Sequence, residues 1–168
     1  FLASTVNGLA GDDFLFGTLI FGDTLNGGDG KDNLNGFEGN DILNGGNEAD
    51  VLNGGLDDDL LRGGDGGDTL NGGGGSDKYE FNKIDFSSPR DSIVAFDDGL
   101  DLIQLIAAEW SRSPGENGLG LLTVSGGANA ASSLHFNTAT SVLSSGSSDI
   151  VVLQGFFGTF NESDIIFV

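Results

Sequence analysis

From Gly27 to Glu80 the chain is written in nines: GGDGKDNLN, GFEGNDILN, GGNEADVLN, GGLDDDLLR, GGDGGDTLN and GGGGSDKYE. The sixth place is aspartate in every copy, as Asp32, Asp41, Asp50, Asp59, Asp68 and Asp77. The eighth is Leu34, Leu43, Leu52, Leu61, Leu70 and finally Tyr79. Two looser turns precede these, ending in Asp13–Leu15 and Asp23–Leu25, with one extra residue between the two aspartates. A fixed short period of this kind restricts the fold to a solenoid, in which each unit buries its apolar face only by stacking on its neighbours.

The places within the unit follow from elementary geometry. Glycines at places 1, 2 and 4 are expected to allow the positive φ and close backbone approach of a tight turn. Places 7 to 9 read as a very short strand of three residues. Alternation within it turns place 8 inward and places 7 and 9 outward. Two nonapeptides make one eighteen-residue coil, so each aspartate lies over the one eighteen residues away. Leu34, Leu43, Leu52, Leu61 and Leu70 are expected in one interior row. Carboxylates stacked about 5 Å apart would repel by ~3 kcal/mol per pair at an effective dielectric near 20. A thin leucine core does not offset that together with the entropy of ordering so much glycine. A hard cation between the carboxylates and turn carbonyls reverses the sign, and an all-oxygen shell suits calcium.

These repeats follow the pattern GGxGxDxUx and resemble the RTX (repeats-in-toxin, hemolysin-type) family of calcium-binding proteins. A second likeness is Asp91-Ser92-Ile93-Val94-Ala95-Phe96-Asp97-Asp98-Gly99-Leu100-Asp101-Leu102-Ile103-Gln104-Leu105. It resembles the DxIxxFDxGxDxIxL segment that follows the roll in many RTX proteins. The resemblance implies an all-β fold: a right-handed parallel β-roll over about residues 8–80, then a β-sandwich-like C-terminal cap. The implied division is 1–80 for the roll with its atypical opening coil, and 81–168 for the cap.

In that family each ion sits between turns eighteen residues apart. It takes carbonyls from places 2 and 4 plus the aspartate of one turn, and carbonyls from places 1 and 3 plus the aspartate of the next. One edge then pairs Asp23 with Asp41, Asp41 with Asp59 and Asp59 with Asp77. The other pairs Asp13 with Asp32, Asp32 with Asp50 and Asp50 with Asp68. The clearest implied site uses Phe37, Gly39 and Asp41 with Gly54, Leu56 and Asp59. Opposite it, Gly28, Gly30 and Asp32 face Gly45, Asn47 and Asp50. Further candidates at the turn places are Gly27, Asp29, Gly36, Glu38, Gly46, Glu48, Gly55, Asp57, Gly63, Asp65, Gly72 and Gly74. The implied cofactor is Ca²⁺, up to about six ions. Glu48 and Asp57 occupy place 4; a side chain there strains the turn, or else supplies an extra carboxylate.

The opening coil carries Leu19, Ile20 and Phe21 where turn glycines are expected. It reads as a cap over the open end of the leucine stack. The alternative is a docking surface, made of Phe14, Phe16, Ile20 and Phe21, for an upstream domain or another subunit. Beyond the roll, strands are expected at Tyr79–Phe81, Ser92–Phe96, Leu100–Leu105, Leu119–Ser125, Ser133–Asn137 and Ile150–Leu153. Turns are expected at Ser87–Arg90 and Asp97–Gly99, and a short helical turn at Ala107–Trp110. The closing Glu162-Ser163-Asp164-Ile165-Ile166-Phe167-Val168 reads as a last buried strand. It also resembles the uncleaved C-terminal secretion signals of serralysin-type proteases.

Composition removes several functions. A net charge of −20 on 168 residues repels nucleic acid and anionic membranes. With no cysteine there is no disulfide or zinc–thiolate chemistry. No apolar run reaches the length of a membrane-spanning helix, so membrane insertion is not expected. Phe1–Val6 lacks the features of a secretory signal peptide, and without an initial Met the chain is expected to be processed or taken from a longer one. His135 is the only histidine. HExxH, GxSxG, GxxxxGK[ST] and DxDxDG are all missing. A glycosidase-like carboxylate pair is compatible with so many acids, yet the repeat already accounts for the aspartates. The sequon at Asn161 reads as chance.

The chain is therefore expected to be a non-catalytic, extracellular bacterial calcium module. It would meet the type I secretion machinery during export and fold on calcium outside the cell. The alternatives are a subunit of a self-associating surface layer, filament or adhesin, and a polysaccharide-binding accessory module of a secreted enzyme. Only six Lys and Arg argue against polyanionic polysaccharides.

Overall fold

A computed structural model describes residues 2–81, 91–97, 100–105, 134–137, 142–145, 148–154 and 165–167. All regular structure among them is β-strand. The roll contains β1 (Thr5–Ala10), β2 (Phe14–Phe16), β3 (Thr24–Asp29), β4 (Asn33–Glu38), β5 (Ile42–Asn47), β6 (Val51–Leu56), β7 (Leu60–Asp65), β8 (Thr69–Gly74) and β9 (Lys78–Phe81). Six more follow: β10 (Asp91–Val94), β11 (Leu102–Leu105), β12 (Leu134–Asn137), β13 (Val142–Ser145), β14 (Ser148–Gln154) and β15 (Ile165–Phe167).

Strands β1 to β11 alternate between two sheets. One has the order β1-β3-β5-β7-β9-β11-β15, and the other β12-β13-β14-β10-β8-β6-β4-β2. Pairing within the roll is parallel, offset by nineteen residues in the opening coil (Leu15↔Leu34) and by eighteen thereafter, for example Leu34↔Leu52 and Leu43↔Leu61. The solenoid is thus an all-β parallel roll, and its coil is two nonapeptides. The later strands extend the same two sheets: β11 pairs with β9 and β10 with β8, both parallel. Only β12/β13 and β13/β14 run antiparallel among the described strands.

Two expectations need correction. The regular strands span six residues rather than three, running from place 7 through place 3 of the next unit, as Asn33–Glu38 shows. They continue through the glycine pair because place 1 is a second inward position, giving two buried residues per strand. The leucines also form two rows, one on each sheet, because consecutive nonapeptides supply opposite sheets. Leu15, Leu34, Leu52, Leu70 and Ile93 follow one another in the second sheet. Leu25, Leu43, Leu61, Tyr79 and Ile103 do so in the first. All ten are buried. At Tyr79 the larger ring brings a hydroxyl inside, where the Gly72 N–H donates to it at 2.9 Å, as a buried phenol requires.

On the outside, place 9 of the first sheet forms a polar ladder. Asn26 donates to Asn7, Asn44 to Asn26, and Arg62 to both Asn44 and Glu80. At the opening end Leu15 is buried, while Phe14, Phe16, Leu19 and Ile20 are exposed. Phe16 stacks on Phe37 with centroids 6.2 Å apart.

Beyond the roll, the expected strands at Tyr79–Phe81, Ser92–Phe96, Leu100–Leu105, Ser133–Asn137 and Ile150–Leu153 match β9, β10, β11, β12 and β14 within a few residues. Strand β13 was not anticipated. The expectations at Ser87–Arg90, Ala107–Trp110 and Leu119–Ser125 lie outside the described residues, as do residues 98 and 99 of the Asp97–Gly99 turn.

Candidate metal centre

Every regular nonapeptide carries a sixth-place aspartate buried under the turn. Asp32, Asp41, Asp50, Asp59, Asp68 and Asp77 are each 2% exposed or less. Their carboxylates join successive coils. The Asp23 N–H donates to Asp41 Oδ1 at 2.6 Å, Asp41 to Asp59 at 2.8 Å, and Asp59 to Asp77 at 3.0 Å. On the other edge Asp13 donates to Asp32, Asp32 to Asp50 and Asp50 to Asp68, all at 2.8 Å. The pairs expected along each edge are therefore the pairs the structure brings together.

The second oxygen is the notable one. Oδ2 of Asp13, Asp32, Asp41, Asp50, Asp59, Asp68 and Asp77 is buried with no hydrogen-bond partner. A buried, unsatisfied carboxylate oxygen is costly, and here the omission recurs at each regular turn. Each such oxygen faces the Cα of its own place-1 glycine. A Cβ on Gly36 would run into Asp41 Oδ2 and lie 2.6 Å from the Gly54 carbonyl oxygen of the next coil. The same convergence occurs at Gly27 with Asp32 and Gly45, and at Gly54 with Asp59 and Gly72. Place 1 is thus glycine because a carboxylate oxygen and a carbonyl oxygen meet there. The positive φ expected at that place is not found.

Places 2 and 4 do carry positive φ. Gly55, at +124°, would press a Cβ into the Phe37 carbonyl oxygen. Phe37 (81°), Glu48 (76°) and Asp57 (74°) stay near the left-handed α region, which a side chain tolerates better than φ values beyond 100°. The side chains at places 3 and 4 lie outside: Asp57 Oδ2 accepts the exposed Gly39 N–H at 3.1 Å, and Asn47 donates to Asp29 at 2.6 Å. Third-place carbonyls are also engaged, Asn47 O by the Gly30 N–H and Leu56 O by the Gly39 N–H. Among the described residues no three His, Cys, Asp or Glu side chains converge as a metal cluster. A cation here would be held by paired aspartates and backbone carbonyls.

The field of this arrangement favours positive charge. Burial raises Asp59 to about 8, opposed by the hydrogen bond from the Asp41 N–H and reinforced by the charges of Asp77, Asp41 and Asp57. Burial likewise raises Asp50 to about 7, and Asp41 and Asp77 to about 6. A divalent ion in the turn reverses this, because it favours the ionised carboxylate. Asp23 behaves differently. Burial raises it, but hydrogen bonds from the N–H and hydroxyl of Thr18 and of Ser4 outweigh that and lower it.

Two aspartates were not anticipated as members of these ladders. The Asp68 N–H donates to Asp91 Oδ1 at 2.8 Å, and the Asp77 N–H to Asp101 Oδ1 at 3.0 Å. The signal was present in Asp91-Ser92-Ile93 and Asp101-Leu102-Ile103, which repeat the Asp-x-apolar ending of each nonapeptide. Spacings of 23 and 24 residues in place of 18 concealed it.

A parallel two-sheet solenoid with oxygen-lined turns at both edges defines a calcium-binding β-roll. The RTX calcium-binding nonapeptide repeat matches residues 3–19, 20–52 and 45–79, in four copies. Residues 3–79 therefore carry RTX calcium-binding repeats, and this supports calcium as the ligand of the roll. Among solved structures, the chain is similar to the solution structure of the AlgE6R3 subunit from the Azotobacter vinelandii mannuronan C5-epimerase. The two are 25% identical, with a TM-score of 0.48 over 95% of this chain and 80% of that one. No curated protein matches the chain.

Proposed function

We propose that this chain is a non-catalytic module whose folding is switched by calcium, from a bacterial protein exported by a type I system. The carrying observation is the row of buried Oδ2 atoms without a hydrogen-bond partner at the regular turns. In the metal-free chain these oxygens oppose folding. With calcium they become ligands, and binding energy available only to the folded state becomes folding energy. Extracellular calcium modules bind in the ~0.1–1 mM range. A low-calcium cytosol therefore keeps the acidic, glycine-rich half open, as passage through a type I channel requires. The unit proposed to respond spans residues 1–80, with 81–168 closing it and ending in the secretion signal.

Circular dichroism during an EGTA-to-calcium titration tests this, with magnesium as control. Strand signal should appear with calcium and not with magnesium, whose small, tightly hydrated octahedral shell fits a carbonyl-lined turn poorly. A roll fully formed in EGTA would refute the switch.

A second reading, a self-associating subunit of an extracellular assembly, is favoured by the exposed Leu9, Phe14, Phe16, Leu19 and Ile20 at the opening end. Light scattering with calcium separates the two, since the module reading requires a monomer.

A further inference from the structure

We infer that Thr18 and Ser4 take the place of a calcium ion at Asp23, so that one edge of the roll starts from a coil closed by hydrogen bonds instead of metal. This rests on the reading of the other turn carboxylates as calcium ligands.

The turn that ends at Asp23 has the same cradle as its neighbours. A Cβ on Gly17 would lie 2.6 Å from the Gly36 carbonyl oxygen and 2.9 Å from Asp23 Oδ2. In the next coil on this edge, Asp41 accepts the Asp23 N–H at Oδ1 and leaves Oδ2 without a hydrogen bond. Asp23 leaves neither oxygen bare. The Thr18 N–H and hydroxyl donate to Oδ2 at 2.5 and 2.8 Å. The Ser4 N–H and hydroxyl donate to Oδ1 at 2.5 and 2.9 Å.

An ionised carboxylate offers about four lone-pair sites, and four donors fill them. Their protons occupy the space and reverse the field a cation needs. Thr18 follows Gly17 as Gly28 follows Gly27 and Gly46 follows Gly45, and the regular turns have no side chain there to donate. The far end of the same edge is similar in kind: Asp101 accepts the Asp77 N–H at Oδ1 and the Asp97 N–H at Oδ2. The hydrogen-bonded base gives the first ion-binding coil, at Asp41, a preformed surface on which to stack.

The calcium content of the saturated wild-type chain, Asp23→Asn and Asp59→Asn, measured by native mass spectrometry, tests this. Asp23→Asn should bind as many ions as wild type, and Asp59→Asn fewer. Loss of an ion in Asp23→Asn would overturn the inference. Should Asp23→Asn fail to fold, anomalous scattering from wild-type crystals grown with calcium decides. Calcium is expected in the Asp59 turn and none within coordination distance of Asp23, and a peak at Asp23 would overturn the assignment alone. A wild-type chain that binds no calcium would overturn the calcium reading, and this inference with it.

Discussion

Shortening Leu52 to alanine measures how far the thin core and the ions depend on each other. Leu52 is fully buried and stands in register between Leu34 and Leu70. Parallel ladders on both sides hold β6 at fixed spacing, so the site has little freedom to collapse around the missing atoms. A buried Leu→Ala change of this kind costs about 2.7–5 kcal/mol, and each 1.4 kcal/mol is about a tenfold change in the folding constant. Under the proposed switch calcium binds only the folded state, so the loss should appear as a higher calcium midpoint. For n ions binding together, the shift is the nth root of the change in folding constant, roughly 2- to 4-fold for six. Urea unfolding at saturating calcium gives the free-energy change directly, and calcium titration followed by circular dichroism gives the midpoint. Their ratio reports the number of coupled ions. Val51→Ala, beside it on the outer face at 43% exposure, should move neither measurement much. An unchanged urea midpoint in Leu52→Ala would refute the assignment of place 8 to the core. A loss of stability without any calcium shift would refute the coupling.

Gly36→Ala should remove the ion held at Asp41 and lower the stoichiometry measured by calorimetry. Gly74→Ala, whose added Cβ meets nothing nearer than a Leu56 methyl at 3.5 Å, should keep it; equal effects would sink the cradle. In calcium-free buffer the roll should be more ordered at pH 4 than at pH 8. Asp41, Asp77, Asp50 and Asp59 are raised to about 6, 6, 7 and 8, so their protonated forms stabilise the fold below the ordinary value of 3.8, and this is lost as pH rises through 6 to 8. Protons also compete with calcium, so the calcium midpoint should rise as pH falls from 8 to 5; circular dichroism follows both, and the opposite trend would refute the electrostatics. Arg62→Ala removes the pair with Glu80 and the bond to Asn44; at a half-exposed site this should cost no more than about 1 kcal/mol in urea unfolding.

The repeat alone determined a great deal. A period of nine with one apolar and one acidic place leaves a stacked solenoid as the way to bury the leucines, and oxygen ligands as the way to hold the aspartates. That argument holds for Asp41 and Leu52 without any coordinates, because it depends on spacing and on the sign of charge. Other features depended on the chains being brought side by side. Gly36 was legible as a turn glycine, but its cause is a collision with Asp41 Oδ2 and the Gly54 carbonyl, and half of that collision comes from a residue eighteen places away. The separation of Leu34 and Leu43 into opposite rows needed the handover of consecutive units between two sheets. Asp91 and Asp101 joined the ladders across irregular spacings that periodicity does not reach. At Asp23 the motif is intact, yet its oxygens are filled by Thr18 and Ser4. A motif specifies which residue sits at a turn; which donors and acceptors surround it is a property of the neighbouring coils, and only the tertiary structure sets those.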